Sequence, residues 1–327
     1  MQYKIFGPTG KKVFSVSLGT YGHGEAYGGI TKKESLEILH TAVGNITDEA
    51  SLLIDTAPRY GNGLVESWIG EFLKNTNKKN VFIATKGGRH IESGQINKKD
   101  FSPEFLQKDL DGSLKRLGVG SIFLYQLHNP PLDVILEGSI FAFLEEMRKQ
   151  GKIQWYGVSI DTHEEGLAVI DVCRKRGYRG LASLQLIYNI LQKHLLSKLG
   201  EIANKSGVAI IAREPLLRGF LTDLYVNGVE PAKLSPAPKK VFELYGENKI
   251  ISQVEQARQI LNLQSYAQPL AQIALQFVLA NPYITTVIPG INRKEYIDAD
   301  FFINKGDIKP GIIKKLKRLA DLKETIS

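Results

Sequence analysis

The sequence predicts an α/β fold: one (β/α)8 TIM barrel spanning 1–327, with an N-terminal β-hairpin, an inserted loop and helical segment near 222–265 and a C-terminal helix. Three observations carry that expectation. From Val13 onward, short apolar runs of strand length alternate with segments of helical period, about eight times over. No G-x-G-x-x-G follows the first run, so the dinucleotide fingerprint of a doubly wound sheet is missing. The apolar runs end on polar side chains, as they do where a barrel builds its sites.

The elements follow in order. Residues 2–6 and 12–18 read as strands joined by the turn Gly7-Pro8-Thr9-Gly10. Gly7 to Lys12 superficially resembles a phosphate-binding loop, but it lacks the spacing and the hydroxyl residue after the lysine. Thr31 to Val43 has a helical apolar period through Leu36, Leu39 and Val43. Leu52 to Ile54 is a buried strand that stops on Asp55, with Pro58 and Gly61 breaking any continuation. A helix from Leu64 to Leu73 and a strand from Val81 to Thr85 come next, the strand ending on Lys86. Ser102-Pro103 supplies a cap and a first-position proline for a helix running to Leu117. The strand 122–127 ends on His128, and the helix 138–149 leads to the strand 153–158, ending on Ser159. The period continues through helix 163–176, strand 181–186, helix 192–205 and strand 208–212, which ends on Arg213-Glu214-Pro215. Helix 267–280 and strand 284–288 complete it at Pro289-Gly290. The segment 222–265, rich in proline and with a charged helix-like piece near 249–261, reads as a loop over the active face, placed to act as a lid. Lys309 to Thr325 reads as a basic amphipathic helix on the outside.

Composition narrows the function. The 327 residues are 43% hydrophobic and 23% charged, the profile of a soluble globular chain. No apolar run is long enough to cross a bilayer and no signal peptide opens the chain, so a cytoplasmic protein without a membrane partner is expected. Cys173 is the only cysteine, leaving no disulfide framework and no cysteine-based metal site; no metal is expected. The net charge of +8 comes from scattered lysines without interleaved aromatics, which points to a solvated surface rather than nucleic acid. An anionic small molecule, such as a phosphorylated cofactor, makes better use of a local excess.

The chemistry lies in what ends the strands. Asp55, Lys86 and His128 end three adjacent strands, and Tyr60 sits on the loop after the first of them. A barrel brings these ends to one rim. A phenol is a poor proton donor–acceptor at neutral pH, and a neighbouring ammonium would lower its pKa. A carboxylate would hold that ammonium, and a histidine can hydrogen-bond a substrate oxygen. Together they make a proton-transfer site for a carbonyl or alcohol. Each residue alone also has a structural explanation: a helix cap for Asp55, packing for Tyr60, a surface charge for Lys86, a satisfied strand end for His128.

Asp55-Thr56-Ala57-Pro58-Arg59-Tyr60-Gly61 with Glu66, Ala84-Thr85-Lys86, Tyr125-Gln126-Leu127-His128, Tyr156-Gly157-Val158-Ser159 and Ile288-Pro289-Gly290 together resemble, in order and spacing, the motifs of the aldo-keto reductases. The resemblance covers nearly the whole chain. It implies a barrel that binds NADP(H), or less often NAD(H), without a Rossmann fold. It implies Tyr60 as general acid–base, Lys86 lowering its pKa, Asp55 paired with Lys86, and His128 orienting the carbonyl. For the cofactor it implies contacts from Thr20, Tyr21 and Asp55, and from Ser159 and Gln185 on the carboxamide, with Ile160 where asparagine is common. Arg213 stands where many members stack a tyrosine on the nicotinamide, and Pro215, Leu216 and Gly219 match the loop that follows. Gly290, Asn292 and Arg293, with Lys294, fall in the region expected to hold a 2′-phosphate, where many bacterial members place an arginine one position earlier than Arg293, and Asp300 replaces an asparagine near the adenine. NADP(H) is favoured on Arg293 and Lys294, with NAD(H) the rival.

The expected function is therefore reduction of an aldehyde, ketone or sugar carbonyl, or the reverse. Two alternatives stand beside it: a barrel lyase forming a Schiff base on Lys86, and a non-catalytic, cofactor-binding relative resembling channel-associated subunits. Specificity is expected in loops 21–30, 87–101, Asn129–Pro131 and 222–265, with Tyr21, Tyr27, Trp155 and Phe220 as candidate pocket aromatics.

Overall fold

The computed structural model describes residues 2–24, 28–77, 79–91, 98–225, 230–262, 269–297 and 308–322. Strands β1 (Tyr3–Ile5) and β2 (Lys12–Phe14) form the expected hairpin, antiparallel with Lys4 opposite Val13. Eight parallel strands follow, each paired with the next: β3 (Leu18–Gly19), β4 (Leu52–Asp55), β5 (Val81–Gly87), β6 (Ile122–His128), β7 (Ile153–Ser159), β8 (Leu181–Ile187), β9 (Ala209–Arg213) and β10 (Thr286–Val287). The two ends of this sheet meet. Val16 bridges Val287 and Gly19 bridges Gly290, with the Ser17 amide donating to the Val287 carbonyl at 2.9 Å. A β-carbon at Gly19 would lie 2.8 Å from the Ile288 carbonyl oxygen, so the seam needs glycine there. Among the described residues the eight-stranded sheet thus closes on itself.

The hairpin decides which end of the barrel is accessible. Phe6 is fully buried against Phe123, and Phe82 stacks on Phe123 at 3.9 Å, near the amino ends of β5 and β6. Val13, Leu53, Ala182 and Ala209 fill the same cluster. The amino-terminal mouth is thereby plugged with apolar side chains, and the carboxyl rim is left for chemistry.

The strands are connected and followed by helices α1 (Lys32–Gly44), α2 (Leu64–Asn75), α3 (Pro103–Leu117), α4 (Leu132–Glu137), α5 (Ser139–Lys149), α6 (His163–Arg176), α7 (Ser197–Lys205), α8 (Pro236–Tyr245), α9 (Glu247–Asn262), α10 (Leu270–Leu279) and α11 (Pro310–Lys317), with short 3-10 turns among them. Their ends obey local chemistry. Thr31 and Thr162 open α1 and α6 with capping boxes, and Ser102 caps α3 through the Phe105 amide. Buried Glu66 on α2 accepts from Thr85 of β5 at 2.6 Å and from Arg116 of α3 at 2.7 Å, fixing both helices to the strand that carries Lys86.

The structure departs from the expected elements in several places. The run 12–18 is two strands, because the chain leaves the hairpin after Phe14 and enters the barrel only at Leu18. The helix expected over 138–149 is preceded by α4, which ends where Gly138 turns into a left-handed conformation. The proline-rich part of 222–265 holds α8, since Pro236 and Pro238 lie in its first turn, where a missing N–H costs little. Helix α9 packs towards the tail, with Gln253 donating to the Ala320 carbonyl at 3.0 Å. The last helix is shorter than expected at its carboxyl end, stopping at Lys317. Among the described residues, no helix is long and apolar enough to cross a membrane.

Candidate active site

Parallel register sets the site. Lys86 pairs with Gln126, His128 with Ser159 and Ser159 with Gln185, so β5 to β8 present these residues together at the carboxyl rim. Asp55 ends β4 and is 2% exposed; Lys86 is 1% exposed. The Lys86 Nζ donates to Asp55 Oδ1 at 2.5 Å, to the Thr56 carbonyl at 3.0 Å and to Tyr60 Oη at 3.2 Å. Its three N–H bonds are thus spent on a carboxylate, a carbonyl and the phenol. The other carboxylate oxygen, Asp55 Oδ2, accepts from Gln185 Nε2 at 2.8 Å and Gln126 Nε2 at 3.1 Å. Thr20 Oγ1 holds the Asp55 backbone carbonyl at 2.9 Å, and the Tyr21 ring leans on Tyr60 with centroids 5.1 Å apart.

The electrostatics set two opposing influences on the phenol, with Lys86 acting in the expected direction. Burial pushes the Tyr60 phenol above its ordinary pKa; Lys86 pulls against that without winning, so the phenol is held protonated rather than poised as phenolate. For Lys86, burial favours the neutral amine, but Asp55 and Tyr60 outweigh it and the pKa rises. A charged, fully hydrogen-bonded ammonium is the opposite of the depressed amine that Schiff-base chemistry requires. Burial, then the charges of Lys86, Arg89, Arg59 and Arg213, holds His128 well below the usual histidine range, so the imidazole is neutral.

These groups open on a cavity of about 250 Å³ whose lining includes Tyr21, Asp55, Tyr60, Lys86, His128, Ser159 and Gln185. A second cavity, of about 520 Å³, is lined by Pro215, Leu216, Gly219, Tyr225, Asn292 and Tyr296. Glu214, Arg218 and Gly290 line both, which makes one trough from Tyr60 out to the 290s loop. Between the two, Glu214, Leu217 and Arg218 all have positive φ, of 54°, 46° and 52°, a costly backbone for side chains of that size. The bend is held by Arg218, which donates to Glu214 Oε2 at 3.0 Å and to Oε1 at 2.9 Å.

The aldo/keto reductase family model matches residues 15–321. The chain belongs to the aldo/keto reductase family. Among its relatives, the NADP(+)-designated aldo-keto reductase yakc of Schizosaccharomyces pombe is 26% identical, covering 95% of this chain and 90% of that one. The NADH-specific methylglyoxal reductase of Escherichia coli is 27% identical over 75% of this chain and 76% of its own. The solved structure of a Bacillus halodurans aldo-keto reductase in its holo form shares the fold, with a TM-score of 0.77 at 23% identity, covering 98% and 97% of the two chains. As an aldo-keto reductase, the protein is an oxidoreductase with a (β/α)8 barrel.

The residues expected from the sequence fall into three groups. Asp55, Tyr60, Lys86, His128, Ser159, Gln185, Tyr21, Arg213 and Gly290 meet around the inner cavity. Thr20 lies behind it, and Pro215, Leu216, Gly219 and Asn292 line the outer one. Arg293 and Lys294 are exposed, beside Glu34 and Glu37 of α1. Asp300 and Tyr27 lie outside the described residues. Arg213 is committed to Asp161 at 2.7 Å, a partner the sequence reading did not name. Two of the candidate aromatics are elsewhere. Trp155 packs at the plugged end beneath the Arg148 guanidinium, and Phe220 is buried against Tyr225 and Phe242. Gln126 was missed, although its place two residues before His128 puts it on the same strand face. Arg59, Arg89 and Arg218 were missed because loop arginines carry no periodic signal.

Proposed function

We propose that this aldo-keto reductase reduces a small carbonyl compound with NADP(H), using Tyr60 as the proton donor. The observation that carries the reading is the Lys86 ammonium, held by Asp55 at 2.5 Å and touching Tyr60 Oη at 3.2 Å beside the cavity. The trough with its glycine at 290 and the amide and hydroxyl of Gln185 and Ser159 fit an extended dinucleotide. When bound, the nicotinamide supplies hydride to the carbonyl carbon. The chain supplies the rest. The Tyr60 phenol, kept protonated by burial, gives its proton to the carbonyl oxygen as negative charge develops there. Lys86 stabilises the phenolate left behind through its existing hydrogen bond, so no reorganisation is needed at that moment. Neutral His128 holds the carbonyl oxygen by a hydrogen bond without competing for the proton.

Arg293 and Lys294 favour the 2′-phosphate of NADP(H). One observation favours NAD(H): Glu37 lies 3.5 Å from Lys294, and Glu34 lines the same surface. Fluorescence titration with NADPH and NADH side by side tests both. Tighter NADPH binding, weakened by substituting Arg293, supports the reading; tighter NADH binding reverses the cofactor assignment, and saturable binding of neither removes the redox function.

A further inference from the structure

The inner cavity holds more positive charge than the proposed proton transfer uses. Arg59, Lys86, Arg89, Arg213 and Arg218 line it against three carboxylates, Asp55, Asp161 and Glu214. Each carboxylate is already committed: Asp55 to Lys86, Asp161 to Arg213, and Glu214 to Arg218 and Arg213. Arg89 follows β5 by two residues. Its Nε donates to the backbone carbonyl of His128 at 3.2 Å, which places the guanidinium beside the residue expected to hold the substrate oxygen. Among the described residues, no carboxylate lies within ion-pair distance of Arg89. Burial and then the charge of Arg59 pull its pKa below the usual arginine value, the mark of like charges crowded into one space. A partly buried cation beside other cations, with Asp161 acting on it only from beyond ion-pair distance, costs stability that an arriving anion would offset.

We propose that Arg89 is a specificity residue and that the substrate is an oxyanion-bearing carbonyl compound, with a carboxylate or phosphate a few atoms from the reacting carbon. This rests on the reductase reading of the same site. The planar guanidinium suits a bidentate oxyanion, and the His128 carbonyl fixes its orientation before the substrate arrives. Arg59 adds to the attractive field within the cavity. Arg89, His128 and Tyr60 line the same cavity, so anion and reacting carbonyl are held within one space.

The test compares matched pairs: 4-carboxybenzaldehyde with its methyl ester, and glyceraldehyde 3-phosphate with glyceraldehyde. For each pair, the ratio of kcat/KM for anion over neutral is measured in the wild type and in Arg89→Gln. The expected result is a wild-type ratio above about ten in at least one pair. In Arg89→Gln that ratio falls by about tenfold or more, mainly through KM for the anion, and Arg89→Lys restores part of it. The carboxylate and phosphate pairs tell which oxyanion is preferred. Ratios near one in the wild type, or a ratio unmoved in Arg89→Gln, overturn the inference while leaving the reductase reading intact. Absence of turnover with all four compounds and both nucleotides counts against the reductase reading instead. Equilibrium binding of benzoate against benzamide to the same protein then decides the anion claim: equal affinities overturn it, and a benzoate preference lost in Arg89→Gln supports it.

Discussion

Asparagine at position 55 would keep the side-chain volume and remove the carboxylate that holds Lys86. Asp55 is 2% exposed and Lys86 1%, so water cannot replace what is lost. Removing one member of a buried ion pair costs about 3–5 kcal/mol. Three donors converge on the carboxylate, from Lys86, Gln126 and Gln185, and an asparagine NH2 would have to face at least one of them. With an unfolding entropy of about 2.1 cal/mol/K per residue, this chain loses about 0.7 kcal/mol per degree near its midpoint, so 4 kcal/mol lowers Tm by about 6 °C. Lys86→Met should cost a similar amount, because it strands Asp55 instead. The double variant Asp55→Asn/Lys86→Met strands neither charge and should fall short of the summed costs by about 2 kcal/mol or more. Urea unfolding of the four proteins measures this. Additive costs would refute the view that the two charges are each other's partners.

Three further outcomes follow from the same geometry. His23 is buried between Ser35 and the Ile291 carbonyl, at 2.8 Å from each, and burial lowers its pKa to about 4. The unfolded chain takes up the proton near pH 6.5 and the folded one only near 4, so stability is full above pH 6.5 and falls on acidification, by about 2 kcal/mol at pH 5. His23→Gln should flatten that slope, and equal slopes for both proteins would count against the assignment. Gly87→Ala would drive a methyl group into the buried Tyr125 ring next to Lys86, costing about 1–3 kcal/mol and lowering kcat; a Tm within a degree of wild type would contradict this. Glu66→Leu would leave Arg116 and Thr85 without their common acceptor, and a loss of about 2–4 kcal/mol is expected in the same unfolding assay.

Much of this was legible in the sequence because it is periodic or punctuated. Strands buried on both faces read as apolar runs, and the residues at or next to their ends, Asp55, Lys86, His128 and Ser159, mark the rim directly. Helices announced themselves by caps such as Ser102-Pro103 and by apolar stripes. What could not be read depends on contacts between distant residues. The break between β2 and β3 comes from the seam with Val287 and Gly290, almost the whole chain away. Pro236 looked like a loop breaker and is a helix start, since the same residue serves both. Lys86 lowers the Tyr60 pKa as the sequence suggests, but burial outweighs it, and the sequence does not say how dry the site is. The arginines of the cavity lie on loops, where no pattern distinguishes a lining residue from a solvated one.

The central claim is that Tyr60 donates the proton beside a bound nicotinamide, and Tyr60→Phe tests it most directly. Turnover of an aldehyde should fall by about 10²- to 10⁴-fold, with NADPH affinity and Tm close to wild type. Turnover near the wild-type rate would contradict the assignment, whatever the geometry around Lys86.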